Sequence, residues 1–179
     1  VGPGIGTQEA TVDALQNLLQ NAKCPLVVDA DAINCIAKRP SMLSLLPAKT
    51  IITPHAGEFD RLFGEHQNSE QRLRTAIEMS RQYNIIIVLK GHYTATVRPT
   101  GRVYFNMTGN AGMATAGAGD VLTGMIAAFL SQGYNPEYAS ILGVYFHGLA
   151  GDMAAAELGE FGMTAATSPD SQAAQSIQY

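Results

Sequence analysis

The chain contains no tryptophan and only two cysteines, Cys24 and Cys35. Two thiols are too few for a disulfide scaffold and match no metal-ligand spacing, so a reduced, cytoplasmic protein is expected. Cationic residues are scarce as well. Lys and Arg total 11 against 15 Asp and Glu, a formal net charge of -4. A general nucleic-acid binder would be basic, so no nucleic-acid partner is expected. No apolar run approaches the roughly 18 residues of a membrane span, so no membrane partner is expected either. The Gly-x-x-x-x-Gly-Lys-Ser/Thr loop is absent, which excludes a P-loop nucleotidase. An initiator methionine and a signal-peptide pattern are also missing. The chain opens Val1-Gly2-Pro3-Gly4. A lone valine before a Gly-rich turn reads as the last residue of a strand, so the sequence is expected to open inside a domain.

What is present is a core. Of 179 residues, 46% are apolar and 15% charged. That suffices for one folded domain and is too apolar for a disordered chain. Gly2 to Thr7 reads as a turn, with Thr7 placed to cap the helix that follows. Ala10, Ala14, Leu15, Leu18, Leu19 and Ala22 recur at helical spacing. Pro25 to Asp29 reads as a buried strand, Asp31 to Lys38 as a short helix, and Pro40 starts another. Thr50 to Pro54 is a second strand, and Glu58 to Phe63 a helix stopped by Gly64. Asn68 or Ser69 caps a helix running to Tyr83, and Ile85 to Lys90 is a third strand. Thr94 to Arg98 and Arg102 to Asn106, joined by Pro99-Thr100-Gly101, predict a hairpin. Gly109 to Asp120 is too Gly-rich for regular structure. Val121 to Ser131 is an apolar helix closed by Gly133, and Pro136 starts another, to about Leu158. From Thr164 to Tyr179 the chain is polar and expected to be poorly ordered. Strands alternating with helices predict an α/β fold, a sheet covered on both faces with polar residues gathered at its carboxyl edge.

Gly117-Ala118-Gly119-Asp120 opens an apolar helix. Glycines let successive N–H groups converge, and the helix end adds positive potential, which suits a phosphoryl group. Asp120, in the first turn, is placed to take a proton from an attacking hydroxyl. The plainer alternative is a turn and an acid at a helix start. Lys90-Gly91 ends a strand and suits a nucleotide phosphate; alone, a snorkelling surface lysine is the better bet. His55 could hydrogen-bond a substrate, with Gly57 allowing close backbone approach. Glu58 is as well explained as a first-turn acid. Asp29 and Asp31 could position substrate or hold hydrated Mg²⁺, although capping is the better explanation of Asp31. Gly2 to Gly6 matches a dinucleotide fingerprint weakly, since Thr7 stands where Gly or Ala is needed. His147, inside a helix, reads as a packed residue.

Taken in order, these blocks resemble the ADP/ATP-dependent NAD(P)H-hydrate dehydratases, a branch of the ribokinase-like superfamily. The carrying segments are Gly2 to Gly6, Val28 to Ala32, Thr53 to Glu58, Leu89 to Gly91, Gly109 to Gly124 and His147 to Asp152. The resemblance covers residues 1–163. It implies a three-layer α/β/α sandwich with a mostly parallel sheet, lacking the first βα units, followed by a tail over 164–179. It implies repair of the S epimer of hydrated NADH or NADPH at the cost of ADP or ATP, with Mg²⁺ accompanying the nucleotide. Asp120 would be the catalytic base and, with Gly4 and His55, would contact the hydrated cofactor. Lys90, Gly91, His92, Tyr93, Thr94, Gly117, Ala118 and Gly119 would hold the nucleotide. No protein-bound metal site is implied. A homo-oligomer is expected, and an epimerase domain as fusion or partner. The ends depart from the family pattern, which leaves the activity of this chain open. The alternatives are a vitamin-precursor kinase of the same superfamily, or an inactive nucleotide-binding fragment.

Overall fold

The computed structural model describes residues 1–163; the expectation for the stretch from Thr164 lies outside the described residues. The elements in order are α1 (Glu9–Asn21), β1 (Val27–Val28), α2 (Ala30–Lys38), a 3-10 turn (Pro40–Leu45), β2 (Ile51–Ile52), α3 (Ala56–Phe63) and α4 (Ser69–Tyr83). Then follow β3 (Ile86–Leu89), β4 (Ala95–Val97), β5 (Val103–Phe105), a 3-10 turn (Ala111–Met113), α5 (Ala118–Ser131) and α6 (Pro136–Leu158). The five strands lie side by side in chain order. β1, β2 and β3 are parallel, and β4 and β5 add an antiparallel hairpin.

Each parallel strand splits its apolar residues between two layers, as a period-two backbone requires. Val28, Ile52 and Ile87 face one core with Leu15, Leu19, Ile33, Ile36, Met42 and Phe59 of the first helices. Val27, Ile51, Ile86 and Val88 face the other, with Leu122 and Ile126 of α5 and Val144 of α6. Each fully buried isoleucine contributes roughly 1.5–3 kcal/mol by leaving water. The result is the expected three-layer arrangement. Among the described residues no helix is long and apolar enough to cross a membrane.

Side-chain caps set several boundaries. The Asn68 side chain accepts from Gln71 N–H at the start of α4, and Asn135 from Glu137 N–H at the start of α6, where Pro136 takes the first helical position. Thr7, expected as a cap, is not one: α1 starts one residue later with Gln8 as its cap. Thr7 instead receives the Lys38 ammonium on its hydroxyl and carbonyl. Asp31 does not cap α2 either; its carboxylate accepts the Gly6 N–H at 2.9 Å. Within the Gly-rich run, Ala111–Met113 forms a short 3-10 turn, and α5 begins at Ala118, three residues before Val121.

The first residue lies alongside β1. The Val1 amino group donates to Val27 O at 2.6 Å, and Asp29 N–H donates to Val1 O at 3.1 Å. That is the hydrogen-bond pattern of a parallel rung. Gly2 then turns the chain with φ of +141°, and a Cβ there would lie 1.8 Å from the Asp29 carbonyl oxygen. Only glycine fits this position.

Candidate active site at the carboxyl edge of the sheet

The parallel strands deliver three chain segments to one edge. β1 runs into Asp29, β2 into Thr53-Pro54-His55, and β3 into Lys90. The backbones of His55 and Lys90 form a further parallel bridge, with Lys90 N–H donating to Pro54 O at 2.8 Å. Ala30 holds the left-handed conformation at φ of 49°, which turns the chain sharply out of β1. Such a conformation costs on the order of 1–3 kcal/mol for a residue with a Cβ. It leaves Asp29 buried and points Asp31 at the Gly2–Gly6 turn.

Asp29 is almost wholly buried, and both its oxygens are engaged. Oδ1 takes Lys90 Nζ at 2.9 Å, and Oδ2 takes Thr123 Oγ1 of α5 at 2.7 Å. Lys90 Nζ also lies 3.8 Å from Glu58 Oε2. Lys90 is therefore no snorkelling surface residue: its ammonium is the counter-charge of two buried carboxylates. Glu58 and His55 form a reciprocal cap on α3. His55 Nδ1 accepts from Gly57 and Glu58 N–H, while Glu58 Oε2 accepts His55 N–H at 2.9 Å. The first-turn-acid explanation of Glu58 therefore holds. The other ring nitrogen of His55, Nε2, lies 3.4 Å from Glu58 Oε1 on a half-exposed side chain.

Above this pair stands the start of α5. Gly117 caps it in a left-handed conformation, φ 89°, without a side-chain hydrogen bond. Ala118 N–H donates back to Thr115 O and Val121 N–H to Gly117 O. The N–H groups of Gly119 and Asp120 have no acceptor among the described residues and are available to an anion. A Cβ on Gly119 would lie 3.3 Å from Lys90 Nζ, so the helix backbone sits directly over the ammonium. Asp120 is exposed. The Gly2–Gly6 turn borders the same edge through Gly2 against Asp29 and Gly6 on Asp31, with Gly4 exposed. Gly91, His92 and Tyr93 form an exposed loop after Lys90; the two rings meet edge-on at 4.5 Å, and Thr94 Oγ1 bonds Gly91 O. The edge thus gathers the expected residues from five segments of the chain.

Three further residues belong to this edge; they lie in segments that carry the family resemblance, yet no role at the site is expected of them from sequence. Thr123 anchors α5 to Asp29. Asp152 of α6 holds the loop ahead of α5, accepting Gly109 N–H at 2.8 Å and Asn110 Nδ2 at 3.0 Å. His147 lies close to the Ala118 backbone and near Lys90. A helical repeat that places residues 147 and 152 on one long helix was legible; the loop they would meet was not.

Burial pushes the His147 imidazole below the ordinary histidine value, the nearby Ala118 backbone opposes this, and the Lys90 charge adds to it. The folded protein therefore prefers His147 neutral. As pH falls through the ordinary histidine range, the unfolded chain binds the proton first, and stability falls with it. Thermal denaturation between about pH 7 and pH 5 will show a shallower loss of Tm in His147→Gln than in the parent. Equal slopes would remove His147 as a source of acid sensitivity.

A model of the NAD(P)H-hydrate dehydratase family matches residues 1–171. The chain is 45% identical over 167 residues to the bifunctional NAD(P)H-hydrate repair enzyme of Moorella thermoacetica, covering 92% of this chain and 32% of that protein. It is 39% identical to the ADP-dependent (S)-NAD(P)H-hydrate dehydratase of Neisseria meningitidis, covering 86% of this chain and 53% of that one. Among solved structures, the ADP/ATP-dependent NAD(P)H-hydrate dehydratase of Bacillus subtilis, co-crystallized with ATP/Mg²⁺, superposes with a TM-score of 0.76 at 36% identity, over 93% of this chain and 57% of that one. A ribokinase from Thermotoga maritima, 20% identical with a TM-score of 0.58 over 78% of this chain and 46% of that one, shares the fold. The chain thus spans about a third to a half of the length of these curated relatives.

Proposed function

The chain belongs to the NAD(P)H-hydrate dehydratase family, and we propose that it carries the phosphoryl-transfer half of a site that returns the S epimer of hydrated NADH or NADPH to the reduced cofactor. The observation that carries this is the start of α5: two N–H groups with no acceptor among the described residues and an exposed carboxylate on one helical turn, at the carboxyl edge of a ribokinase-like sheet.

The chemistry explains why a dehydratase needs a nucleotide. Hydroxide is a poor leaving group and phosphate a good one. Asp120 takes the proton of the ring hydroxyl, and the hydroxyl oxygen attacks the terminal phosphoryl group of ADP or ATP. The bond from that phosphorus to the bridging oxygen breaks, releasing AMP or ADP. The ring phosphate ester then expels phosphate, losing a ring proton as the carbon–carbon double bond reforms. Gly119 and Asp120 N–H would meet the charge that builds on the transferring group, where fixed donors act most strongly. Gly117 and Ala118 would shape that turn. Lys90 and the loop Gly91, His92, Tyr93 and Thr94 would border the nucleotide. Gly4 and the Nε2 side of His55 would face the hydrated ring.

Mg²⁺ enters as part of the nucleotide substrate. Among the described residues no group of three or more His, Cys, Asp or Glu side chains could hold an ion. Asp29, once a candidate, has both oxygens committed. An ion carried by phosphates and water suits Mg²⁺, which binds few protein ligands.

The test supplies S-hydrated NADH with ADP or ATP to this chain and to its full-length form, and follows the return of reduced-nicotinamide absorbance. Recovery that needs both nucleotide and Asp120 is the expected result. No recovery from the full-length form, with phosphorylation of a vitamin-precursor alcohol instead, would overturn the proposal in favour of a kinase.

A further inference from the structure

The buried pair beneath α5 meets that helix at two points. Gly119 and Thr123 are four residues apart and so lie on one helix face. At Thr123 the hydroxyl reaches Asp29 Oδ2 at 2.7 Å. At Gly119 the bare backbone rests on the pair: a Cβ there would lie 3.3 Å from Lys90 Nζ and 3.9 Å from Asp29 Oδ2. Asp120 is the next residue around the helix, turned out of this contact and exposed.

The carboxylate that receives both groups is itself fixed. Asp29 N–H donates to Val1 O, its carbonyl oxygen accepts Ala32 N–H at 3.1 Å, and its Oδ1 is held by Lys90. By contrast, among the described residues no side chain caps the start of α5. The rotation of α5 about its own axis, set along its length by Leu122 and Ile126 in the core, is therefore held at its first turn from below, by the sheet edge. That rotation decides where the Asp120 carboxylate and the Gly119 and Asp120 N–H groups point.

We propose that Asp29 is a positioning residue, which acts through Thr123 and Lys90 to set the orientation of the first turn of α5 and hence the aim of Asp120. This inference rests on the phosphoryl-transfer function proposed above. Asp29 touches no reacting atom in this scheme, since its two oxygens are taken by Lys90 and Thr123.

The test compares Thr123→Val, which keeps shape and loses the hydroxyl, with Thr123→Ser, which keeps the hydroxyl, and with Asp29→Asn, in the full-length protein. A misplacement of about 1 Å can cost on the order of 10²-fold in rate, so Thr123→Val is expected to lower kcat by about tenfold or more. Its nucleotide Kd by calorimetry is expected to stay within about threefold, because the backbone donors remain. Thr123→Ser is expected to restore most of kcat, and Asp29→Asn to lose at least as much as Thr123→Val. Amide exchange over the first two turns of α5 is expected to quicken in Thr123→Val and not in Thr123→Ser. A Thr123→Val enzyme with parental kcat would overturn the inference. So would a Thr123→Ser enzyme as impaired as Thr123→Val, or a rate loss that only tracks the loss of folded protein. Should the parent itself fail to regenerate the reduced cofactor, the function proposed above fails, and amide exchange alone judges the positioning role. Unchanged exchange in Thr123→Val then removes it.

Discussion

Replacing Asp120 by asparagine is expected to reduce nucleotide-dependent recovery of the reduced cofactor by about 10²-fold or more. Asparagine keeps the size and a hydrogen-bonding oxygen but cannot accept the ring hydroxyl's proton. A 10²-fold loss corresponds to about 2.7 kcal/mol of barrier. The competing explanation is that Asp120 serves only as an acid at a helix start. That role is worth roughly 0.3–1 kcal/mol of stability at an exposed position, and it acts on folding, not on the barrier. The two roles separate cleanly. If Asp120 is the base, turnover collapses while Tm moves by a few degrees at most and nucleotide binding persists. If it is only a helix acid, the rate per folded molecule stays near the parental value. Calorimetry with ADP, run beside the rate measurement, checks that the nucleotide still binds. Near-parental turnover would remove Asp120 as the base and leave the free N–H groups as the main chemical asset of the turn.

The sequence made the strand ends and the helix starts legible because both are encoded locally. Apolar runs closed by Asp29, Pro54 and Lys90 marked the carboxyl edge, and Pro99-Thr100-Gly101 marked the hairpin. A lone Val1 before glycines reads as a strand end; Val1 hydrogen-bonds alongside β1 without belonging to one of the five strands. Local caps were less legible. Thr7 has the right chemistry for a cap, yet Lys38, 31 residues away, takes its oxygens. What sequence could not supply were contacts set by strand order. Asp29 and Lys90 are 61 residues apart and lie on strands that are not neighbours, since β2 runs between them. They meet only because both strands end at one edge and α5 closes over them. The same holds for Asp152, whose loop partners Gly109 and Asn110 stand more than 40 residues upstream. At Lys90 the sequence shows a charge at a strand end and cannot show its counter-charge.

That counter-charge makes Lys90→Met the variant with the largest expected effect on stability. Methionine retains most of the lysine stem's apolar packing, so the change isolates the ammonium. Its loss leaves Asp29 and Glu58, 1% and 5% exposed, without a cation at the sheet edge. Breaking a buried pair by removing one partner costs about 3–5 kcal/mol, because the remaining charge stays desolvated. For a domain of this size that lowers Tm by on the order of 10 °C, and it does so without any nucleotide present. A lysine that served only bound phosphate would behave differently. It would sit solvated in the free protein, and its removal would raise the nucleotide Kd while leaving Tm within a degree or two. The double variant Asp29→Asn, Lys90→Met distinguishes the pair from the single charge. With one carboxylate neutralised along with the ammonium, part of the lost stability is expected to return. Denaturant melts of the four proteins, parent, two singles and double, give the coupling directly. Additive losses would show that Asp29 and Lys90 act independently and that the contact at 2.9 Å carries no stability of its own.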